Sequence, residues 1–351
     1  MSTTMRKGPG TAVTASPRAN EGAPSRHRLY LVRRLVALML VLSGALTVCY
    51  SGISVYAAAK LVNTEPKPIT RTPTVLGLDF RPVSFESRGD HVRLQGWFIP
   101  GILPGNTKTA ERVIIVVHGV RTNREDPDAG VLDLSGQLAR HGFAVLAFDM
   151  RGMGQSAAAP LSMGIFEQRD VLGAVDFLRT GPLPYPTLGR PHIIGGWGVS
   201  MGAATLLLAA SQEPAIRAVV ADCAYADAAP LLEREVPKKG GLPSGFTPGI
   251  LLAARVMFGV DFYNARPVDV VSRLAPRPVF FIHGLKDDYV SPVNTQQLVA
   301  AARVPGSRVQ VWFVAKATHA QSFHVEGQEY VRRVVNFLDD SLGPDIGRGQ
   351  V

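Results

Sequence analysis

Cysteine is nearly absent from this 351-residue chain: it has Cys49 and Cys223 and no other. One lies in an apolar run and the other follows a predicted strand. They are not placed to meet, so no disulfide framework is implied. Val48 precedes Cys49 where a lipoprotein signal needs a small residue. Acids are scarce at the start. Residues 1–34 hold seven basic residues and one acid, Glu21, a net of +6. The whole chain carries +9, so the remaining 317 residues carry +3. The basic balance belongs to the tail and does not mark a nucleic-acid-binding surface. Large apolar residues are almost missing from residues 1–25, which are rich in Ser, Thr, Gly, Pro and Ala. Such a segment cannot bury enough surface to fold, so residues 1–34 are expected to be a disordered, basic, cytoplasmic tail. No internal repeat is visible, so no stacked-repeat architecture is indicated.

Charge is then missing for 25 residues, from Leu35 to Ala59. That run is long enough to cross a bilayer as a helix. The arginines before it place the N-terminus in the cytoplasm and the rest of the chain outside. Tyr50 and Tyr56 suit the far interface. The alternative is a secreted protein released by signal cleavage at Ala57-x-Ala59. An uncleaved anchor is preferred, because the run exceeds the usual 7–15 residues or so of a signal core. Residues 60–79 contain several prolines and read as an extended linker.

Residues 80–342 read as one α/β domain, followed by a short tail at 343–351. Val83–Ser87 and Val92–Ile99 form an antiparallel hairpin about Arg88-Gly89-Asp90. Strands are expected at 112–117, 143–148, 192–197, 216–221, 278–282 and 308–314, the first two of them buried, with helices at 131–140, 166–178, 293–302 and 330–338. Strands alternating with helices predict a mostly parallel sheet opened by the hairpin. Residues 225–273 interrupt the alternation. They combine Pro237, Gly240, Gly241, Pro243 and Pro248 with an apolar helix at 250–258. This segment is read as a lid, with an ordinary surface excursion as the alternative.

The centre of the pattern is Gly198-Val199-Ser200-Met201-Gly202, between an apolar strand and a helical stretch. A strand-turn-helix of this kind projects a serine hydroxyl, and the two glycines keep side chains out of the crossing. A serine nucleophile needs a base and an acid to orient that base. Two loops supply them, each just past a strand end, the edge where α/β proteins place their sites. The first is His283-Gly284-Leu285-Lys286-Asp287-Asp288. Asp287 is favoured over Asp288, and Asp222 ranks well below Asp287. The second is Thr318-His319-Ala320, with His319 favoured over His324. Backbone N–H groups of Met201 and Val120 are the candidates for an oxyanion hole. His118 and His283 read as structural, Cys223 as a small buried hydrophobe, and Trp197 and Trp312 as core.

His118-Gly119-Val120-Arg121-Thr122-Asn123-Arg124-Glu125, Asp149-Met150-Arg151-Gly152-Met153-Gly154, Gly198–Gly202, His283-Gly284-x-x-Asp287 and Thr318-His319-Ala320 together resemble the α/β-hydrolase superfamily. Five separated motifs stand in the family's order across residues 80–340. Within that superfamily the chain looks most like the serine aminopeptidase-like and acyl-esterase group, in its bacterial single-span form. The resemblance implies an α/β-hydrolase fold, a Ser200–His319–Asp287 triad, no metal and no organic cofactor. The expected activity is hydrolysis of carboxylic esters, on a small-molecule or lipid-like acyl substrate, with the membrane as partner and no nucleic acid. Peptidase, thioesterase and acyltransferase chemistry use the same triad and stay open. So does a non-catalytic, membrane-anchored binding protein on this scaffold.

Overall fold

The computed structural model describes residues 26–343, together with residues 1–5, 8, 10 and 12. The expected disordered tail lies largely outside the described residues, and so do residues 344–351 of the expected C-terminal tail. The chain forms two units, one ending at Tyr50 and one starting at Ser51. In the first, helix α1 (Arg26–Val62) begins, and each of its residues as far as Tyr50 is exposed. This helix is long and apolar enough to span a membrane or to serve as a signal sequence. In the second unit the end of α1 changes character. Ser54, Ala58 and Val62, one per turn on a single stripe, are buried.

After α1 the chain runs in irregular structure to a 3₁₀ turn at Pro73–Leu76. Strands β1 (Arg81–Glu86) and β2 (Arg93–Ile99) form the expected antiparallel hairpin. A second, small hairpin follows, β3 (Gly101–Leu103) and β4 (Thr107–Thr109), which the sequence reading lacked. Three-residue strands carry too few positions for a period to register. The α/β alternation then runs through β5 (Arg112–Val117), α2 (Val131–Arg140), β6 (Ala144–Phe148), α3 (Gln168–Thr180), β7 (Ile193–Val199), α4 (Met201–Ala210) and β8 (Ile216–Asp222). After the inserted helices α5 (Ala228–Gly240) and α6 (Thr247–Phe258) it resumes with β9 (Pro278–Gly284), α7 (Val293–Ala302), β10 (Arg308–Val314), α8 (Ser322–Glu326) and α9 (Gln328–Leu342).

The strand order is β1-β2-β6-β5-β7-β8-β9-β10. β2 meets β6 antiparallel, and every pair from β6 to β10 is parallel. This is the mostly parallel α/β-hydrolase sheet that was expected. β5 explains why the strands read as unbroken apolar runs. Val113, Ile115 and Val117 face a core shared with α3, α4 and α7, while Ile114 and Val116 face one shared with α2 and α9. A strand covered on both faces has no polar side. Trp197 is buried as expected, but Trp312 on edge strand β10 is half-buried, with the Arg333 guanidinium 4.4 Å above its ring.

Residues 225–273 contain more helix than the sequence suggested. α5 starts on the Asp227 cap, whose carboxylate accepts from Ala229 N–H at 3.0 Å, and ends at left-handed Gly241. Pro237 sits in its last turns. Pro237, Gly240 and Gly241 thus mark the end of a helix that the sequence reading did not include. In α6, Ile250 and Leu251 are buried in the main core, while Leu252, Val256 and Met257 are exposed.

Candidate active site

Four loops converge at the C-terminal edge of the sheet. Ser200 follows β7, the strand between β5 and β8. Its backbone has φ 55 and ψ −122, far from what an L-residue prefers. The turn persists because its surroundings determine it. Ser200 N–H donates to Asp222 O at 2.8 Å, and α4 starts at the next residue. A side chain at Gly198 would lie 2.7 Å from Gly202 backbone, and one at Gly202 would lie 2.3 Å from the carbonyls of Val117 and His118. Strand and helix can cross this closely only without those two Cβ atoms.

The two expected partners reach Ser200. Ser200 Oγ lies 2.9 Å from His319 Nε2, and His319 Nδ1 lies 2.7 Å from Asp287 Oδ2. The Asp287 carboxylate has no exposed side-chain surface, while the imidazole is 22% exposed, open enough to meet a ligand. Asp287 Oδ1 accepts from the N–H groups of Tyr289 and Val290, which leaves Oδ2 for His319. Burial pushes the Asp287 pKa up. Hydrogen bonds from His283, His319 and Val290, with the His319 charge, more than offset that and hold it at about 2. Asp288 points to solvent, and His324 is exposed and bonds to Pro127 O.

The loop after β5 passes beside the nucleophile: a Cβ on Gly119 would lie 3.9 Å from Ser200 Cβ. Val120 follows it, half-buried, and Met201 opens α4 with its side chain fully buried. Val120 is thus one residue past the glycine that adjoins Ser200, and Met201 is the residue after the nucleophile. His118 is buried and structural. Nδ1 is 2.7 Å from Gly119 O, and Nε2 accepts from Met150 N–H at 3.0 Å. Burial lowers its pKa, so it is neutral.

Family comparison agrees with this fold. The model described as "alpha/beta hydrolase fold" matches residues 112–256, and that of the prolyl oligopeptidase family matches residues 258–345. The chain belongs to the α/β-hydrolase superfamily. Among its relatives is the uncharacterized protein YfhR of Escherichia coli O157:H7, 26% identical over 258 residues, 73% of this chain and 79% of that one. An esterase of Pyrococcus furiosus shares the fold with a TM-score of 0.66, at 23% identity, over 81% of this chain and 99% of its own. The acylaminoacyl peptidase of Pyrococcus horikoshii does so with a TM-score of 0.56, at 17% identity, over 80% of this chain and 46% of its own.

This hydrolase has site neighbours that its sequence did not reveal. The Tyr289 ring stands edge-on to His319, with centroids 4.8 Å apart. Lys239 of α5 lies 4.1 Å over the same ring, and Arg234 of α5 donates to Tyr289 O. The inserted helices thus reach the base through one aromatic side chain. The only hint in the sequence was an aromatic residue two positions past the acid. Asp222 is buried under the nucleophile turn, but its carboxylate accepts from Tyr330 OH at 2.9 Å and Ser322 Oγ at 3.3 Å. Burial raises its pKa to about 6, against the Tyr330 hydrogen bond. Cys223 is buried in a left-handed conformation, φ 45. Among the described residues, Cys223, Asp287 and His319 form the one group that could offer a metal three ligand atoms, all within 4.8 Å of one another. Burial, with Asp222 and Asp287 nearby, pushes the Cys223 thiol pKa far up.

Proposed function

We propose that this hydrolase cleaves carboxylic esters through an acyl-enzyme at Ser200. The observation that carries the reading is the hydrogen-bonded chain from Ser200 Oγ through His319 to Asp287, 2.9 and 2.7 Å in its two links. Ser200 Oγ attacks the ester carbonyl as His319 Nε2 takes its proton. The negative oxygen of the tetrahedral intermediate is held by the N–H groups of Met201 and Val120. His319 then gives its proton to the departing alcohol. Water, deprotonated by the same imidazole, attacks the acyl-enzyme and releases the acid. Asp287 keeps the imidazole in the tautomer that presents a bare Nε2 to Ser200, and its charge steadies the imidazolium. The substrate is a small-molecule or lipid-like acyl compound. The enzyme is a single-pass membrane protein with its N-terminus in the cytoplasm and the catalytic unit outside.

A peptidase is the second reading, favoured by the match of residues 258–345 to the prolyl oligopeptidase family. Thioesterase and acyltransferase chemistry would use the same residues. The test is labelling of the full chain, in detergent, by a fluorophosphonate probe, followed by turnover of p-nitrophenyl esters of graded length and of acylamino-acid p-nitroanilides. Wild type should label, Ser200→Ala should not, and esters should outpace anilides. An unlabelled wild type would favour a binding protein, and faster anilide turnover would favour the peptidase.

A further inference from the structure

The loop between β5 and α2 is held from outside by a segment that the sequence had assigned to a linker. From Arg121 to Asp126 its side chains alternate between two directions. Three of them turn inward. Thr122 Oγ1 donates to Asp126 Oδ2 at 2.8 Å, and Arg124 pairs with buried Asp149. The other three bind residues 60–71. Arg121 donates to the carbonyls of Lys60 and Leu61, both at 2.9 Å, where α1 ends. Asn123 Nδ2 donates to the carbonyls of Lys67 and Pro68, both at 3.1 Å. Glu125 accepts from Thr70 N–H at 2.7 Å and Thr70 Oγ1 at 2.9 Å. Arg71 continues the line to Asp133 of α2, at 2.9 Å.

Both ends of this segment are anchored in the same unit. Ala58 and Val62 are fully buried in the main core, and Val62 O accepts from Leu161 N–H at 2.7 Å. Thr64 Oγ1 donates to Gly152 O. Pro66 and Pro68 stiffen the segment between those ends, so little chain entropy is lost in holding it straight. The loop itself is strained where the segment grips it. Arg121 has φ 56, a left-handed conformation that a non-glycine residue keeps only when its surroundings impose it. Its neighbour is Val120, which follows Gly119, where an added Cβ would lie 3.9 Å from Ser200 Cβ.

We infer that residues 60–71 are a positioning strap for the oxyanion loop, holding Val120 N–H at the reacting carbonyl through Arg121, Asn123 and Glu125. This rests on Val120 serving as an oxyanion donor. Nothing in the strap touches substrate, so Arg121 is a positioning residue. Its guanidinium also binds the last carbonyls of α1, where a helix end favours a cation. The helix that carries the apolar run is thereby tied directly to the loop that stabilises the transition state.

The test uses the full chain in detergent micelles, with active sites counted by fluorophosphonate labelling. Arg121→Met and Asn123→Ala should each lower kcat per labelled site on p-nitrophenyl acetate by about tenfold to a hundredfold, since displacing a catalytic group by about 1 Å costs that much. KM should stay within about twofold. A trifluoromethyl ketone, whose hemiketal oxygen occupies the oxyanion position, should bind more weakly by the same factor. Arg121→Lys, which keeps a donor, should recover much of the loss. Hydrogen exchange at the amides of residues 119–122 should speed up in Arg121→Met. An unchanged kcat per labelled site together with unchanged exchange would overturn the strap. If wild type fails to label or to turn over esters while the exchange change appears, the strap holds the loop and the catalytic reading is what falls.

Discussion

At Asp287 two opposing effects meet, and their balance sets what a substitution will do. The carboxylate is buried, which alone would favour its neutral form. Hydrogen bonds from His283, His319 and the Val290 N–H, with the His319 charge, make it an anion instead, with a pKa of about 2. Asp287→Asn keeps the shape but reverses the polarity of the bond to His319. We expect a fall in kcat of about 10³–10⁴, the scale seen when a triad acid loses its charge. Asp288→Asn, on an exposed neighbour, should cost less than about tenfold. Steady-state kinetics on one ester decides, and a reversed order would shift the assignment by one residue. The same carboxylate contributes to stability. Its folded pKa lies below the ordinary 3.8, so that contribution is present above about pH 4 and is lost as pH falls toward 2. The stability gap between wild type and Asp287→Asn, read by denaturant unfolding, should narrow over that window.

The inserted helices show how an element's role depends on which of its faces is covered. The apolar residues of α6 read from sequence as a movable cover. Ile250 and Leu251 are packed in the main core, and the exposed apolar side belongs to Leu252, Val256 and Met257. Leu251→Ala should therefore destabilise the fold by about 2–5 kcal/mol, the cost of a core cavity. Leu252→Ala should change stability by no more than about 0.5 kcal/mol. Paired denaturant curves check this, and equal effects would mean that α6 is packed on both sides in solution. The neighbouring inserted helix α5 reaches the site directly. Lys239 and Arg234 hold Tyr289, and Tyr289 flanks His319. A cover that gates acyl-chain length would act there, with long esters affected more than acetate.

For the whole molecule the open matter is which side of a membrane holds the site. The apolar helix follows basic residues and precedes the hydrolase unit in the chain. On the topology proposed above, the positive-inside rule puts the C-terminal unit on the exported side. An alkaline phosphatase fused after Val351 should be active in cells, and a cytoplasm-dependent reporter at the same point should be silent. The opposite pair of results would reverse the orientation. A mature chain beginning near Lys60 would identify a cleaved signal. Such a cut would leave the strap without Ala58, one of its two buried anchor residues. Anchoring and catalysis would thus be coupled through one segment.

The sequence by itself determined the elements whose signals are local. β5, α2, α7 and β10 fall at or within a residue of their expected bounds, because periodicity and turn residues mark them within one stretch of chain. The strand-turn-helix around Ser200 was legible for the same reason, and so was the Ser, Asp, His order, since each lies just past a strand end. Only the tertiary structure decided what depends on residues far apart in the chain. It brought Tyr289 and Lys239 beside His319, turned Leu251 inward and Leu252 outward, and laid residues 60–71 along the loop after β5. The strap left no trace in composition because Lys60, Leu61, Lys67 and Pro68 take part through backbone carbonyls. Every residue carries that group, so no pattern of side chains records where it is used.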